Sequence, residues 1–255
     1  MVLKKNLWII LKCNKSLVHV NMYALEPMTI AEIQQLVGPN FIPNFQKEVD
    51  EFMAPMRKHI ARGRPLSMGK ETWEYAVADS IEGSEWAGAG NSIVDVRIGA
   101  NVGLDVKSVG KTTGNGPTAK SGEASMFQTY HSHLDTLFST EDSETLWNVY
   151  IEGWFKKVCS VKDYYLLAIV KDKQYNCSIC GFKRVGDIPA YVSGYGTFLT
   201  ETGKQSTGSW TVEQLADPTL LHTTVLKGKK RLEMRLRPIM HDAQYSLPIY
   251  KFQGE

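Results

Sequence analysis

The sequence predicts a single mixed α/β domain. Three observations carry that reading. Residues 28–82 hold stretches with apolar residues at helical spacing, residues 91–110 hold two apolar runs joined by a Gly/Asn turn, and residues 164–185 hold runs of β character. The chain has 255 residues, 43% hydrophobic and 22% charged, which is ordinary for a soluble protein and enough to bury a full core. A net charge of +2 neither demands nor excludes a nucleic-acid partner, so the placement of charge has to decide.

Taken in order, residues 28–37 (MTIAEIQQLV) predict a short helix, capped by Thr29 and ended by Gly38-Pro39. Residues 44–62 predict a longer one. Phe45, Val49, Phe52, Met56 and Ile60 recur at spacings of three and four, and Pro55 is placed to kink it. Residues 70–82 predict a third helix, with Trp73, Val77 and Ile81 on one face, Ala76 beside them and Glu74 toward the edge of that face. The hairpin follows at 91–110, NSIVDVRIGANVGLDVKSVG. Residues 110–122 (GKTTGNGPTAKSG) read as a flexible loop. It is not a phosphate-binding P-loop, because GxxxxGK[ST] is absent. Helical spacing returns over 123–138 through Met126, Tyr130 and Leu134. YYLLAIVKD (164–172) predicts a buried strand, and CSICGFKRV (177–185) pairs back onto it. Residues 191–210 read as Gly- and Ser-rich loops, 211–216 as the start of a helix, and 221–238 as a hairpin around Gly228.

Residues 1–27 read as an N-terminal extension and 28–255 as one domain. The apolar run LWIIL is shorter than the ~7–15 residues of a signal-peptide core. No stretch approaches the ~18 apolar residues of a membrane span. The expected location is the cytoplasm, with no membrane partner. Cys177 and Cys180 form a single CxxC, without the second pair or the histidines that a structural zinc site needs, so they read as ordinary strand or turn cysteines.

The hairpin carries the chemistry. Alternate side chains of a strand share a face, so Asp105 and Lys107 lie together while Val106 points the other way. With the turn near Gly99-Ala100-Asn101, Asp95 comes opposite or diagonal to Asp105, within the ~4.5–5.5 Å of cross-strand neighbours. Two ionised carboxylates so close need a cation between them, and a hard oxygen set with room for water suits Mg²⁺. A lysine beside them can hold or deprotonate a water, or stabilise charge on a phosphorane. Metal, water and ammonium together are the apparatus for attack on a phosphodiester.

These residues resemble the motif of the PD-(D/E)xK nuclease superfamily, which includes many type II restriction endonucleases. Asp95 matches the acid at the start of one strand, and Asp105-Val106-Lys107 matches (D/E)-x-K on the next. Glu74 matches the upstream helical glutamate, and Gln128 the polar residue of a downstream helix, with Glu123 near it. Val94 stands where the motif has proline. The resemblance spans roughly residues 70–135. It implies a restriction-endonuclease-like core, a central mixed β-sheet flanked by helices. It further implies Mg²⁺-dependent hydrolysis of double-stranded DNA to 5′-phosphate and 3′-hydroxyl ends by a homodimer. Asp95, Asp105 and Glu74 would hold the metal, Lys107 would position or activate the water, and Gln128 and Glu123 would support them.

A nuclease also needs basic surface, because phosphate contacts dominate affinity for DNA. The loop at 110–122 starts three residues after Lys107, so Lys111 and Lys120 are expected to touch DNA. Lys229, Lys230 and Arg231 in the basic hairpin are the second expected set. The foremost reading is a sequence-specific endodeoxyribonuclease of the type II restriction kind. The same residues also suit a structure-specific, repair or phage nuclease of the superfamily, or a DNA-binding domain that keeps Asp95 and Asp105 for structure alone.

Overall fold

The computed structural model describes residues 18–57, 62, 69–88, 94–110, 123–128, 160–172, 175–193, 199–200, 206–207, 211–214, 222–226, 231–235, 237–240 and 242–252. The chain opens with strand β1 (Val18–Pro27), then helices α1 (Ile30–Val37) and α2 (Phe41–Met53). Thr29 caps α1 in both directions: its hydroxyl accepts from the Glu32 N–H, and Glu32 accepts from the Thr29 N–H at 2.8 Å. Gly38, with φ of 83°, ends the helix as expected. The second helix begins earlier than 44 and stops at Met53, where Ala54–Met56 tightens into a 3₁₀ turn. Pro55 has no N–H to continue the α-helical ladder, which tightens there; Arg57 is helical again, and residues 58–61 lie outside the described residues.

Helix α3 (Lys70–Ser80) leads into three antiparallel strands: β2 (Ser84–Trp86), β3 (Val96–Ile98) and β4 (Val102–Gly110). After β5 (Glu123–Gln128) come β6 (Asp163–Lys171) and the long β7 (Cys177–Ser193). The remaining elements are β8 (Leu199–Thr200), β9 (Ser206–Thr207), β10 (Thr211–Gln214), β11 (His222–Leu226), β12 (Arg231–Arg235), α4 (Arg237–Met240) and β13 (Ser246–Tyr250).

The main sheet runs β2-β3-β4-β6-β7-β10-β11-β12-β5. Among the described residues, only β4 and β6 pair in parallel, so the sheet is mixed. β7 is its spine. One edge takes β6 along residues 177–183 and β10 along 190–193. The other edge takes β13 along 177–180 and β1 along 182–192.

One face of the sheet meets the helices. Leu104, Val106, Leu167, Ile169 and Ile179 pack there with Ile33, Phe45, Val49, Trp73 and Val77 in one buried core. Side chains one residue out of phase, including Asp105 and Lys107, belong to the opposite face. Among the described residues, no helix is long and apolar enough to cross a membrane.

Three sequence expectations fail. Residues 123–128 form a strand paired with β12, not the start of a helix over 123–138; the rest of that stretch lies outside the described residues. Residues 211–214 form β10 between β7 and β11, where a helix start was expected. Short runs such as EASMFQ and TVEQ satisfy either period, and pairing with available strand edges decides. The third failure concerns the N-terminus. Val18–Pro27 is a strand of the main sheet, with Leu25 fully buried, and so is not an extension outside the domain. The hairpin expected over 221–238 is present as β11 and β12.

Candidate active site

The turn of the expected hairpin falls at Gly99-Ala100-Asn101, with Gly99 at φ of 58°, which suits glycine in a tight connection. The ladder between β3 and β4 ends at Val96, which pairs with Leu104, and Asp95 stands just before β3 beside the same residue. The Asp95 N–H still donates to the Leu104 carbonyl at 2.9 Å. One step further along the β4 edge, the Asp95 carboxylate takes over as acceptor: Oδ2 receives the Val106 N–H at 2.7 Å. The side chain is thereby fixed against the strand that carries Asp-x-Lys.

Lys107 joins the two acids. Its Nζ donates to Asp95 Oδ2 at 3.3 Å, to Asp105 Oδ1, and to the Val106 carbonyl at 3.4 Å. Asp105 is fully buried, and the side chains of Lys107 and Asp95 are 11% and 16% exposed. Burial alone would pull the lysine toward neutrality. The negative charges of Asp105 and Asp95 outweigh it and hold the ammonium well above its ordinary range.

Sequence reasoning missed Tyr164. Its hydroxyl donates to Asp105 Oδ2 at 2.9 Å, and the ring is buried. Burial, with the charge of Asp105 added, pushes the phenol well above its usual range and keeps it a donor. The signal was present in the strand reading of 164–172, but only the parallel register of β6 on β4 brings Tyr164 beside Asp105.

Glu74 is 4% exposed on α3, which packs against β3 and β4, so it is deeper than the helix edge expected for it. Among the described residues, no group of three or more His, Cys, Asp or Glu side chains stands ready to hold a metal ion. The oxygens that the fold does bring together are the Asp95 and Asp105 carboxylates and the Val106 carbonyl. Hard oxygens of this kind are what Mg²⁺ takes, but here Lys107 and Tyr164 hold both Asp105 oxygens, and Lys107 stands between the carboxylates. Two carboxylates less one ammonium leave a net single negative charge, which a divalent cation would reverse in favour of a phosphodiester.

Gln128 and Glu123 lie on β5, opposite Arg231 and Arg235 of β12, so the helix expected to carry them is not formed at those positions. Lys111, Lys120, Lys229 and Lys230 lie outside the described residues, and Arg231 begins β12. Cys177 and Cys180 are both buried as free thiols. Their spacing on β7 sets them on opposite faces, which rules out a shared metal between them. No family model, curated protein or solved structure matches the chain.

Proposed function

We propose that the protein is a Mg²⁺-dependent endodeoxyribonuclease of the PD-(D/E)xK type, acting on double-stranded DNA as a sequence-specific restriction enzyme. The observation that carries this is the pair of carboxylates Asp95 and Asp105, tied to one buried ammonium, Lys107. The order of helix, three antiparallel strands and a strand parallel to the third supports the central mixed sheet that the motif implies.

In this reading Asp95, Asp105 and the Val106 carbonyl would hold Mg²⁺; Glu74, expected to assist, sits on α3, which packs against the face opposite Asp105 and Lys107. The bound ion would neutralise phosphate charge and lower the pKa of a coordinated water. Lys107 keeps its proton at Nζ, so it orients the attacking water by donation and stabilises the charge growing on the phosphoryl oxygens. The water oxygen bonds to phosphorus and the P–O3′ bond breaks. One water proton finishes on O3′ and the other in solvent.

A second reading has its own support. Lys107 already satisfies both carboxylates, as it would in a DNA-binding domain that uses the trio only to pin β3 to β4. Incubating wild type and Asp105→Ala with mixed plasmid DNA and Mg²⁺ separates the two. Discrete fragments from wild type alone are expected. A smear from wild type alone would point to a structure-specific or repair nuclease of the superfamily. No cleavage by either folded protein would overturn catalysis and favour the binding domain.

A further inference from the structure

The charged centre of the site is closed by the chain's own groups. An ammonium has three protons to donate, and Lys107 Nζ meets three acceptors: Asp95 Oδ2 at 3.3 Å, the Val106 carbonyl at 3.4 Å, and Asp105 Oδ1. Asp105 is fully buried, and its other oxygen, Oδ2, accepts from the Tyr164 hydroxyl at 2.9 Å. On β6, Tyr164 pairs with Gly103, which puts no side chain between the phenol and the carboxylate. Both oxygens of Asp105 are therefore engaged by this chain. The ammonium stands between the two acids, where a shared cation would have to sit.

We infer that Lys107 is the resident cation of this site and closes it to divalent ions in the free protein. The closure rests on the contacts within the network alone, so it holds whether or not the nuclease reading does. A divalent ion could enter only by displacing Nζ. That would strip buried Asp105 of its partner and leave an ammonium, on a side chain 11% exposed, beside a second cation. On the nuclease reading, the closure is an autoinhibitory contact. A DNA phosphate is the anion that would draw the ammonium away, and the acids come free only then.

The test is uptake of millimolar Mn²⁺ without DNA, read from the electron paramagnetic resonance signal of the free ion. Wild type and Lys107→Met are each compared with their own Asp105→Asn derivative, so that uptake at this site is the difference. Wild type is expected to show no difference. Lys107→Met keeps most of the stem and lacks the charge, so it is expected to take up one ion per chain. A difference in wild type would overturn the inference, and so would its absence in folded Lys107→Met. If a variant does not fold, ¹⁵N-lysine resonance of wild type replaces the comparison. The Lys107 ammonium signal should then stay in place as Mg²⁺ is added, and a saturating shift would overturn the closure. The plasmid assay keeps the two readings apart. Wild type that takes up no ion alone yet cuts DNA with Mg²⁺ upholds both. If it cuts nothing, the nuclease reading falls and the closure stands; if it takes up the ion alone and cuts, only the closure falls.

Discussion

At the scale of single residues, the centre of the molecule is organised by groups that have no room to move. Gly103 lies beside the proposed site, paired with Arg97 on one side and Tyr164 on the other. A Cβ there would come within 2.8 Å of Val94 Cγ1 and 3.0 Å of both Val161 methyls. Val94 directly precedes Asp95, so pressure at 103 is transmitted to the carboxylate. Gly103→Ala is therefore expected to destabilise the fold by ~1–3 kcal/mol, the usual cost of overpacking. Urea unfolding checks this: the midpoint should fall with an unchanged slope. Cys177 shows the bland side of burial. Desolvation pushes its thiol up to about 12, so it behaves as a small apolar side chain of the core and not as a reactive one.

At the scale of elements, helices and strands differ in how they are decided. The first helix carries its own start and stop signals, and it is further tied to β7 by Glu32, whose carboxylate accepts from Lys183 at 2.5 Å. That bond, with the Thr29 N–H next in weight, lowers the Glu32 pKa from 4.5 to about 2. A depressed carboxylate pKa gives stability that is present above the unfolded value and lost as pH falls through the folded one. The carboxylate is about a third exposed, so solvent screening keeps the contribution under ~1 kcal/mol. The stability difference between wild type and Glu32→Gln should thus be present at pH 6 and shrink steadily between about pH 4.5 and pH 2. Chemical denaturation across that range measures it. β5 and β10 lack comparable signals of their own, and their form follows from the strand edges beside them.

At the scale of the whole molecule, β7 holds the sheet together, and its second edge depends on the N-terminal strand. β1 covers residues 182–192 of β7, buries Leu25, and hands over to α1 through the Met28 N–H donating to the Gly181 carbonyl at 2.8 Å. Gly181 is approached almost as closely as Gly103, with Ile33 Cγ1 and Met28 Sδ each 3.0 Å from where a Cβ would stand. A chain beginning at Met28 would expose a long strand edge ready to pair with other chains. It is expected to aggregate or to lose its cooperative transition, as read by size-exclusion chromatography and thermal circular dichroism. A soluble, cooperatively folding product would show that β1 is dispensable.

Much of this protein is local and therefore written in its sequence. The capping box at Thr29 and Glu32, the apolar face of Trp73, Val77 and Ile81, and the alternation that puts Asp105 and Lys107 on one face each depend on neighbours a few residues away. The turn at Gly99 is equally local, and it fixes the register of β3 on β4 as far as Val96, the residue after Asp95. What needed the tertiary structure were the long-range pairings. β1 joins a strand more than 150 residues further on, as its Val18↔Val192 register shows, and no periodicity within 18–27 could announce that. Tyr164 reaches Asp105 only because β6 lies parallel to β4 in one of several registers open to an apolar strand. The depth of Glu74, too, was set by how α3 seats on the sheet, not by its place on a helical wheel. Helix caps and strand alternation arise from bonds within a segment. Strand partners are chosen by the burial and hydrogen bonding of the whole sheet, which no segment contains.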